Sequence, residues 1–271
     1  MRKFLTLFFL FLVSSSVAEE SVKLREALSH ISSGSHLREF DAQEELPERL
    51  KHMSFFFESR KQGYLDARAL LEEGVNPNGN ATSQETFLTW CARGGAADAI
   101  ALLLSYKADP NQPAPVREKW LPVNQAAKQS YLPSHLRSVD ILLQAGADTE
   151  KQDSSGRTAL MSAAEHGAFQ GVSLLLKNGS EPDARSKSRI HHEGWTALMF
   201  AAAKGKPRSA HALLQGGANP ELKNSKGETA LSLALANKHP QTAGVIRSCL
   251  NKAEQKGAKK PTVVSESATT R

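Results

Sequence analysis

One motif recurs at a nearly constant distance along the second half of the chain. Its strongest copies begin at Thr158, Thr196 and Thr229, 38 and 33 residues apart. Each copy starts Thr-Ala-Leu, and the first two continue to a glycine and a leucine-rich run that ends in another glycine. Such a period is typical of arrays whose units bury their apolar faces only against neighbouring units. The sequence therefore predicts stacked units of helix, turn, helix and glycine turn.

Weaker copies extend the pattern toward the N-terminus. They begin at Thr86 and Leu121, and the leucine-rich end of an earlier copy lies at Leu70 and Leu71. The repetitive region runs from about residue 45 to residue 250, which corresponds to about five to six units of roughly 33 residues. Composition agrees, because alanine and leucine occur in blocks and aromatic residues make up only 6% of the chain. This bias favours packed helices over a β-sandwich, so we predict an all-α fold.

The repeated residues are similar to the ankyrin-repeat family. A unit of that family begins Thr-Pro-Leu-His-x-Ala-Ala, continues through glycine to a Leu-Leu-Leu helix, and reaches Gly-Ala-Asp before a β-hairpin finger. The resemblance covers about three quarters of the chain, and it implies an α-solenoid with hairpin-like fingers. Alanine replaces the family's proline in the strong copies, and Lys107 replaces a glycine that often requires positive φ. The finger before Thr196 is about five residues longer than usual, through either adaptation to a ligand or drift.

The ends of the chain differ from the repeats. Arg2 and Lys3 precede an apolar run at residues 4–13 and the small residues Ser16-Val17-Ala18, a pattern typical of a cleaved secretory signal peptide. The alternative is an uncleaved anchor, but ten helical residues cover only about half of a bilayer core of roughly 30 Å. We therefore expect a protein that is exported to the periplasm or secreted, without stable membrane insertion after cleavage.

These patterns divide the chain into four predicted segments. They are a signal peptide at 1–18, an N-terminal helical cap at 19–44, the ankyrin-repeat solenoid at 45–250 and a disordered basic tail at 251–271. The formal net charge is +6, but most of the excess lies in the signal and the tail. Because no folded face carries this excess, we predict no nucleic-acid partner.

The sequence lacks the spacings that mark catalytic or phosphate-binding sites, and we predict no enzyme, no cofactor and no metal. The alternative is a metal-binding loop at His191 and His192, although no further ligand stands at a usual spacing. Cys91 and Cys249 lie about four units apart, which is too far for a disulfide, so both should be free thiols.

The remaining candidate is a surface. The family usually binds proteins along the groove formed by the fingers and the first helices. By the resemblance, the partner-binding positions are Trp120, Lys128, Arg157, Glu165, His166, Glu193, Trp195 and Lys204. The two tryptophans indicate a partner if their rings face solvent, but each ring could instead fold back on its own finger. The predicted function is to bind an unidentified protein, such as a toxin or enzyme neutralised in the periplasm. The alternatives are an exported effector that binds a host protein, and a structural spacer.

Overall fold

The computed structural model describes residues 22–29, 62–81, 85–115, 120–188 and 192–257. Within these ranges the regular structure is helical, with two isolated β-bridges, so the prediction of an all-α fold is confirmed. The helices are α1 (22–29), α2 (62–72), α3 (Phe87–Arg93), α4 (Ala97–Ser105), α5 (Pro122–Lys128), α6 (Pro133–Gln144), α7 (Ala159–His166), α8 (Phe169–Lys177), α9 (Ala197–Ala203), α10 (Pro207–Gln215), α11 (Ala230–Ala236) and α12 (Pro240–Gly257).

Helices α3 to α12 form five consecutive pairs, which we number units 1 to 5 in chain order. The first helices α3, α5, α7, α9 and α11 pack successively in one layer, and the second helices α4, α6, α8, α10 and α12 pack in another. Ala164 and Ala202 on first helices and Leu175 and Leu213 on second helices are fully buried. The small side chains let first helices approach closely, while the leucines fill the space between layers.

The recurring threonine begins the first helix of a unit. Thr158 Oγ1 accepts a hydrogen bond from Met161 N at 3.3 Å, and Thr229 and Ser232 form a reciprocal capping box. These contacts satisfy amides that have no partner within the helix. In units 1, 3, 4 and 5 a left-handed residue follows the first helix, such as Gly167 at φ 79° in unit 3. At the turn after α4, Lys107 adopts φ 65°, so the predicted positive φ is confirmed for a residue with a side chain.

A ladder of hydrogen bonds joins the loops that follow the second helices. At each rung a side-chain oxygen accepts from a backbone amide of the following loop; the first rung joins the loop after α2 to unit 1, and the other three join units 1 to 4. The rungs are Asn78 to Asp109 at 2.7 Å, Asn111 to Asp148 at 2.7 Å, Glu150 to Glu181 at 3.0 Å and Asp183 to Asn219 at 2.9 Å. Because each rung crosses a junction, the ladder fixes the register in which the units stack.

Both ends of the described chain are helical. Helix α1 lies within the predicted cap and buries Leu24 and Leu28. Helix α12 continues to Gly257, past the predicted solenoid boundary at residue 250. The predicted signal peptide at residues 1–18 lies outside the described residues. Among the described helices, none is long and apolar enough to cross a membrane.

Candidate partner-binding face

Ion pairs lie across the first helices of units 1 and 3. Each pair joins the residue that precedes the helix cap to the residue seven positions after the cap. Arg157 Nη1 lies 2.6 Å from Glu165 Oε2, and Arg93 contacts both carboxylate oxygens of Glu85 at 2.7 and 2.8 Å. The order of charges is reversed between the two units. The two positions lie at opposite ends of the first helix, and the long arginine and glutamate side chains reach each other along it in either order.

Lys204 extends the pair in unit 3 into unit 4. Its Nζ lies 3.8 Å from Glu165 Oε1, so the carboxylate meets cations from two successive units. The Lys204 side chain is 55% exposed, whereas those of Arg157 and Glu165 are 22% and 12% exposed. Glu165 is therefore held in place, and the ammonium group of Lys204 remains available to a ligand.

Trp195 is half-buried, and its ring packs on its own unit, as in the alternative described above. The ring centroid lies 4.5 Å from His192 in an edge-to-face arrangement and 5.2 Å from Phe200. The Arg157 guanidinium lies 5.1 Å from the centroid of the Phe200 ring. Phe200 thus links the tryptophan to the charged cluster, a cation–π contact that orients Arg157. We define the charged-aromatic cluster as Arg157, Glu165, Trp195, Phe200 and Lys204.

Sequence analysis did not select Phe200 as a site residue. The available signal was its position four residues after Thr196, where the neighbouring units have Ser162 and Leu233. A large ring at this position of α9 is fully buried and forms the floor under Arg157.

Trp120 and Lys128 lie one unit nearer the N-terminus. Lys128 Nζ donates to Gln125 Oε1 at 3.2 Å, and the carbonyl of half-buried Trp120 accepts from Ala114 N at 2.8 Å. Asn124 in the same unit donates to the Arg157 carbonyl at 2.8 Å, which ties α5 to the finger of unit 3. Trp120 and Lys128 therefore belong to the unit that contacts the backbone of Arg157 directly, next to the charged-aromatic cluster.

His166 and Glu193 are exposed at opposite ends of the first helices. The His166 Nδ1 lies 2.9 Å from the Ser162 carbonyl at the end of α7. The Glu193 carbonyl accepts from the amide and hydroxyl of Ser225 at 3.3 and 3.0 Å, which joins two fingers. The side chains of both residues remain on the surface.

The alternative metal loop is not tested. His191 lies outside the described residues, while His192 packs against Trp195. Among the described residues, no group of three or more histidine, cysteine, aspartate or glutamate side chains could hold a metal ion. Both Cys91 and Cys249 are free, which confirms that prediction, and burial raises the pKa of the Cys91 thiol far above its usual range.

Stacked helix pairs with fingers define a helical repeat protein. The family described as ankyrin repeats matches residues 112–186 and 185–256 with three copies, more than half of the chain. The chain belongs to the ankyrin-repeat family, and ankyrin repeats are generally modules for protein–protein interaction without enzymatic activity. It is also similar to dynein axonemal heavy chain 12 of Bos taurus, with 31% identity over 151 residues that represent 42% of each protein. The chain thus spans less than half the length of that relative.

Proposed function

We propose that this chain is an exported protein that binds a partner protein through the charged-aromatic cluster and its flanking residues Trp120 and Lys128. The observation that carries the proposal is the convergence of Arg157, Glu165 and Lys204 from two successive units at 2.6 and 3.8 Å. The contacts of Arg157 with Glu165 and Phe200 fix its side chain before a partner arrives. Preorganisation reduces the entropy lost on binding.

The residue types support a binding role. Arginine and tryptophan are enriched among residues that dominate binding energy once a partner excludes water. Trp195 and Arg157 pack against the same Phe200 ring, so a partner could cover both at once. Lys204, the most exposed cation of the cluster, would then set a preference for acidic groups and accelerate association.

An exchange of the charges at positions 157 and 165 tests partner binding in a protein that should still fold. In the double variant Arg157→Glu/Glu165→Arg, the ion pair can re-form, because Glu85 and Arg93 already form the reversed pair at the same positions in unit 1. The cation–π contact with Phe200 is lost, which costs about 1 kcal/mol. The arginine introduced at position 165 also repels the Lys204 ammonium group, whose 55% exposed side chain can turn into solvent. We therefore expect a folded protein that no longer captures its partner.

The matched control is Lys177→Glu on α8, an exposed residue of the second-helix layer. Affinity capture uses the unchanged protein, the charge swap, Trp195→Ala and the control as baits, with folding verified by circular dichroism. Partners should be retained by Lys177→Glu and lost by the other two variants. Retention of every partner by all of the baits would exclude the proposed face.

Export is supported by the residue pattern at 1–18 alone, and it has a separate test. N-terminal sequencing of protein recovered from outside the cytoplasm should begin at Glu19. Capture from the periplasmic fraction would favour neutralisation of a toxin or enzyme, whereas capture only from host extracts would favour an effector. A protein that is found only in the cytoplasm with its first 18 residues intact would refute export. The capture experiment with the charge-swap variant would still decide whether the proposed face binds a partner.

A further inference from the structure

The turns between the two helices of each unit carry an excess of positive charge. From the last residue of the first helix to the second residue of the second helix, they span 93–98, 128–134, 166–170, 203–208 and 236–241. They contain one acidic residue, Asp98, and six basic residues, which are Arg93, Lys128, Lys204, Lys206, Arg208 and Lys238. In the described loops between units, by contrast, acidic and basic residues are nearly equal in number. The fold therefore concentrates positive charge along one edge of the solenoid.

Three of the six basic residues belong to the turn of unit 4. We define the cationic strip as Lys204, Lys206 and Arg208. The other three lie one each in units 1, 2 and 5, and Arg93 among them already contacts both carboxylate oxygens of Glu85. Positive charge is therefore densest beside the charged-aromatic cluster, to which Lys204 also belongs.

Like Lys204, the other two residues of the strip lie against unit 3. The Arg208 guanidinium carbon lies 4.3 Å from the centroid of the Phe169 ring, a cation–π contact. The Lys206 stem covers the turn at Gly167, because a Cβ atom added to that glycine would lie 2.9 Å from Lys206 Cδ. Contacts between the two units thus place the strip before any ligand binds, which reduces the entropy lost on binding.

Lys206 and Arg208 have no acidic partner among the residues that the structure describes, since neither forms an ion pair with any of them. Arg208 is exposed and Lys206 is half-buried. Lys206 caps α10 and Arg208 is the second residue of that helix. The helix dipole disfavours positive charge at this end, so helix stability does not account for the two cations. Both remain available to an anion.

We propose that the cationic strip binds an acidic segment of the partner protein, in continuation of the charged-aromatic cluster. The assignment to that partner rests on the proposed function, because Lys204 belongs to both sets of residues. Opposite charge favours carboxylates at the strip, and the planar fork of N–H donors on Arg208 matches the two oxygens of a carboxylate. Nucleic acid fits less well. A protein that binds duplex DNA can make roughly six to ten phosphate contacts, whereas one cation of this short strip already faces Glu165.

The test compares two double variants that change the net charge equally. The strip variant is Lys206→Glu/Arg208→Glu, and the matched control is Lys177→Glu/Lys226→Glu, at two exposed positions outside the turns. Acidic residues suit the first turn of α10, so the strip variant should fold, which circular dichroism verifies.

Binding of a fluorescein-labelled oligoglutamate peptide is measured by fluorescence anisotropy, with oligoglutamine and oligothymidylate of the same length as further probes. We expect the strip variant to bind oligoglutamate about tenfold more weakly than the unchanged protein and the control, because two attractive contacts become repulsive. Binding should weaken in about 0.5 M salt, and oligoglutamine should not bind. The proposal is wrong if the two variants weaken oligoglutamate binding equally, if oligoglutamate does not bind, or if oligothymidylate binds the strip more tightly.

The strip variant also serves as a bait in the affinity capture described above, where it should lose the partner that the charge-swap variant loses. If only the charge-swap variant loses the partner, the proposed function stands and the strip is not part of its site. If both variants retain every partner while oligoglutamate binding still depends on the strip, the proposed function is wrong and the strip binds acidic segments independently of it.

Discussion

The packing of His135 on Gly95 gives a prediction with a built-in control. Gly95 adopts φ +67°, and a Cβ atom added there would lie 2.5 Å from His135 Nδ1 and 2.6 Å from its Cε1. His135 cannot move away freely, because it is 3% exposed and its Nε2 donates to the Arg93 carbonyl at 3.1 Å. Gly146 has a similar φ of +84° but no atom within 4 Å of an added Cβ. Comparison of the two glycines therefore separates backbone strain from the contact between units.

We expect Gly146→Ala to lower the free energy of unfolding by about 1 kcal/mol, the cost of left-handed strain. Gly95→Ala adds overpacking of about 1 kcal/mol or more and the loss of a hydrogen bond worth about 1 kcal/mol, for a total of about 3 kcal/mol. The assay is urea denaturation followed by circular dichroism, with the transition midpoint and slope compared for each variant. In a His135→Ala background, Gly95→Ala should cost only the strain, about 1 kcal/mol. Equal losses for the two glycine variants in the native background would refute the steric argument.

Three further effects follow from individual contacts. Burial lowers the pKa of His135, so below about pH 6.5 the unfolded chain binds more protons than the folded chain. The free energy of unfolding therefore falls as the pH drops through that value. His135→Gln should weaken this pH dependence when unfolding titrations at pH 7.5 and 5.5 are compared. Asn111→Ala removes a ladder rung of 2.7 Å and the hydrogen bond from Asn111 Nδ2 to the Gly146 carbonyl at 3.0 Å, and it should cost about 1 to 2 kcal/mol, whereas Glu221→Ala at an exposed position should change the denaturation midpoint little. Arg157→Ala should cost about 2 kcal/mol because it leaves Glu165 largely buried without its close partner, and Arg157→Lys should recover part of this loss in thermal melts.

The architecture could be predicted from the sequence because each unit depends on a few local requirements that recur. Thr158 and Thr229 mark helix starts through their caps, and Gly167 marks the turn that requires a left-handed residue. These roles are set within one unit, so they remain visible as a period in the chain. Lys107 and Lys238 stand at positions where other units have glycine, and both adopt positive φ although their side chains disfavour it, so here the repeat position predicts the conformation better than the residue type.

The contacts of the proposed partner-binding face could not be predicted in the same way. The repeat identified the positions of Arg157, Glu165 and Lys204, but their ion pairs depend on how unit 4 is placed against unit 3. Phe200 was missed because the corresponding positions of the neighbouring units hold serine and leucine, so the residue type at this position follows no repeat pattern. Its effect on Arg157 arises only from the stacking of units.

Because of these contacts, the proposed partner-binding face depends on the packing of unit 4 against unit 3. Arg157 belongs to the finger of unit 3, yet it rests on Phe200 and lies in a cluster completed by Lys204, both from unit 4. Stability in a repeat array is approximately a sum of unit and junction terms, so one junction can open while the rest of the stack remains folded. Opening of the junction between units 3 and 4 would separate Arg157 from the Phe200 ring and Glu165 from Lys204 at the same time. The proposed face therefore exists only while units 3 and 4 are stacked, and a partner that binds it stabilises that junction by mass action.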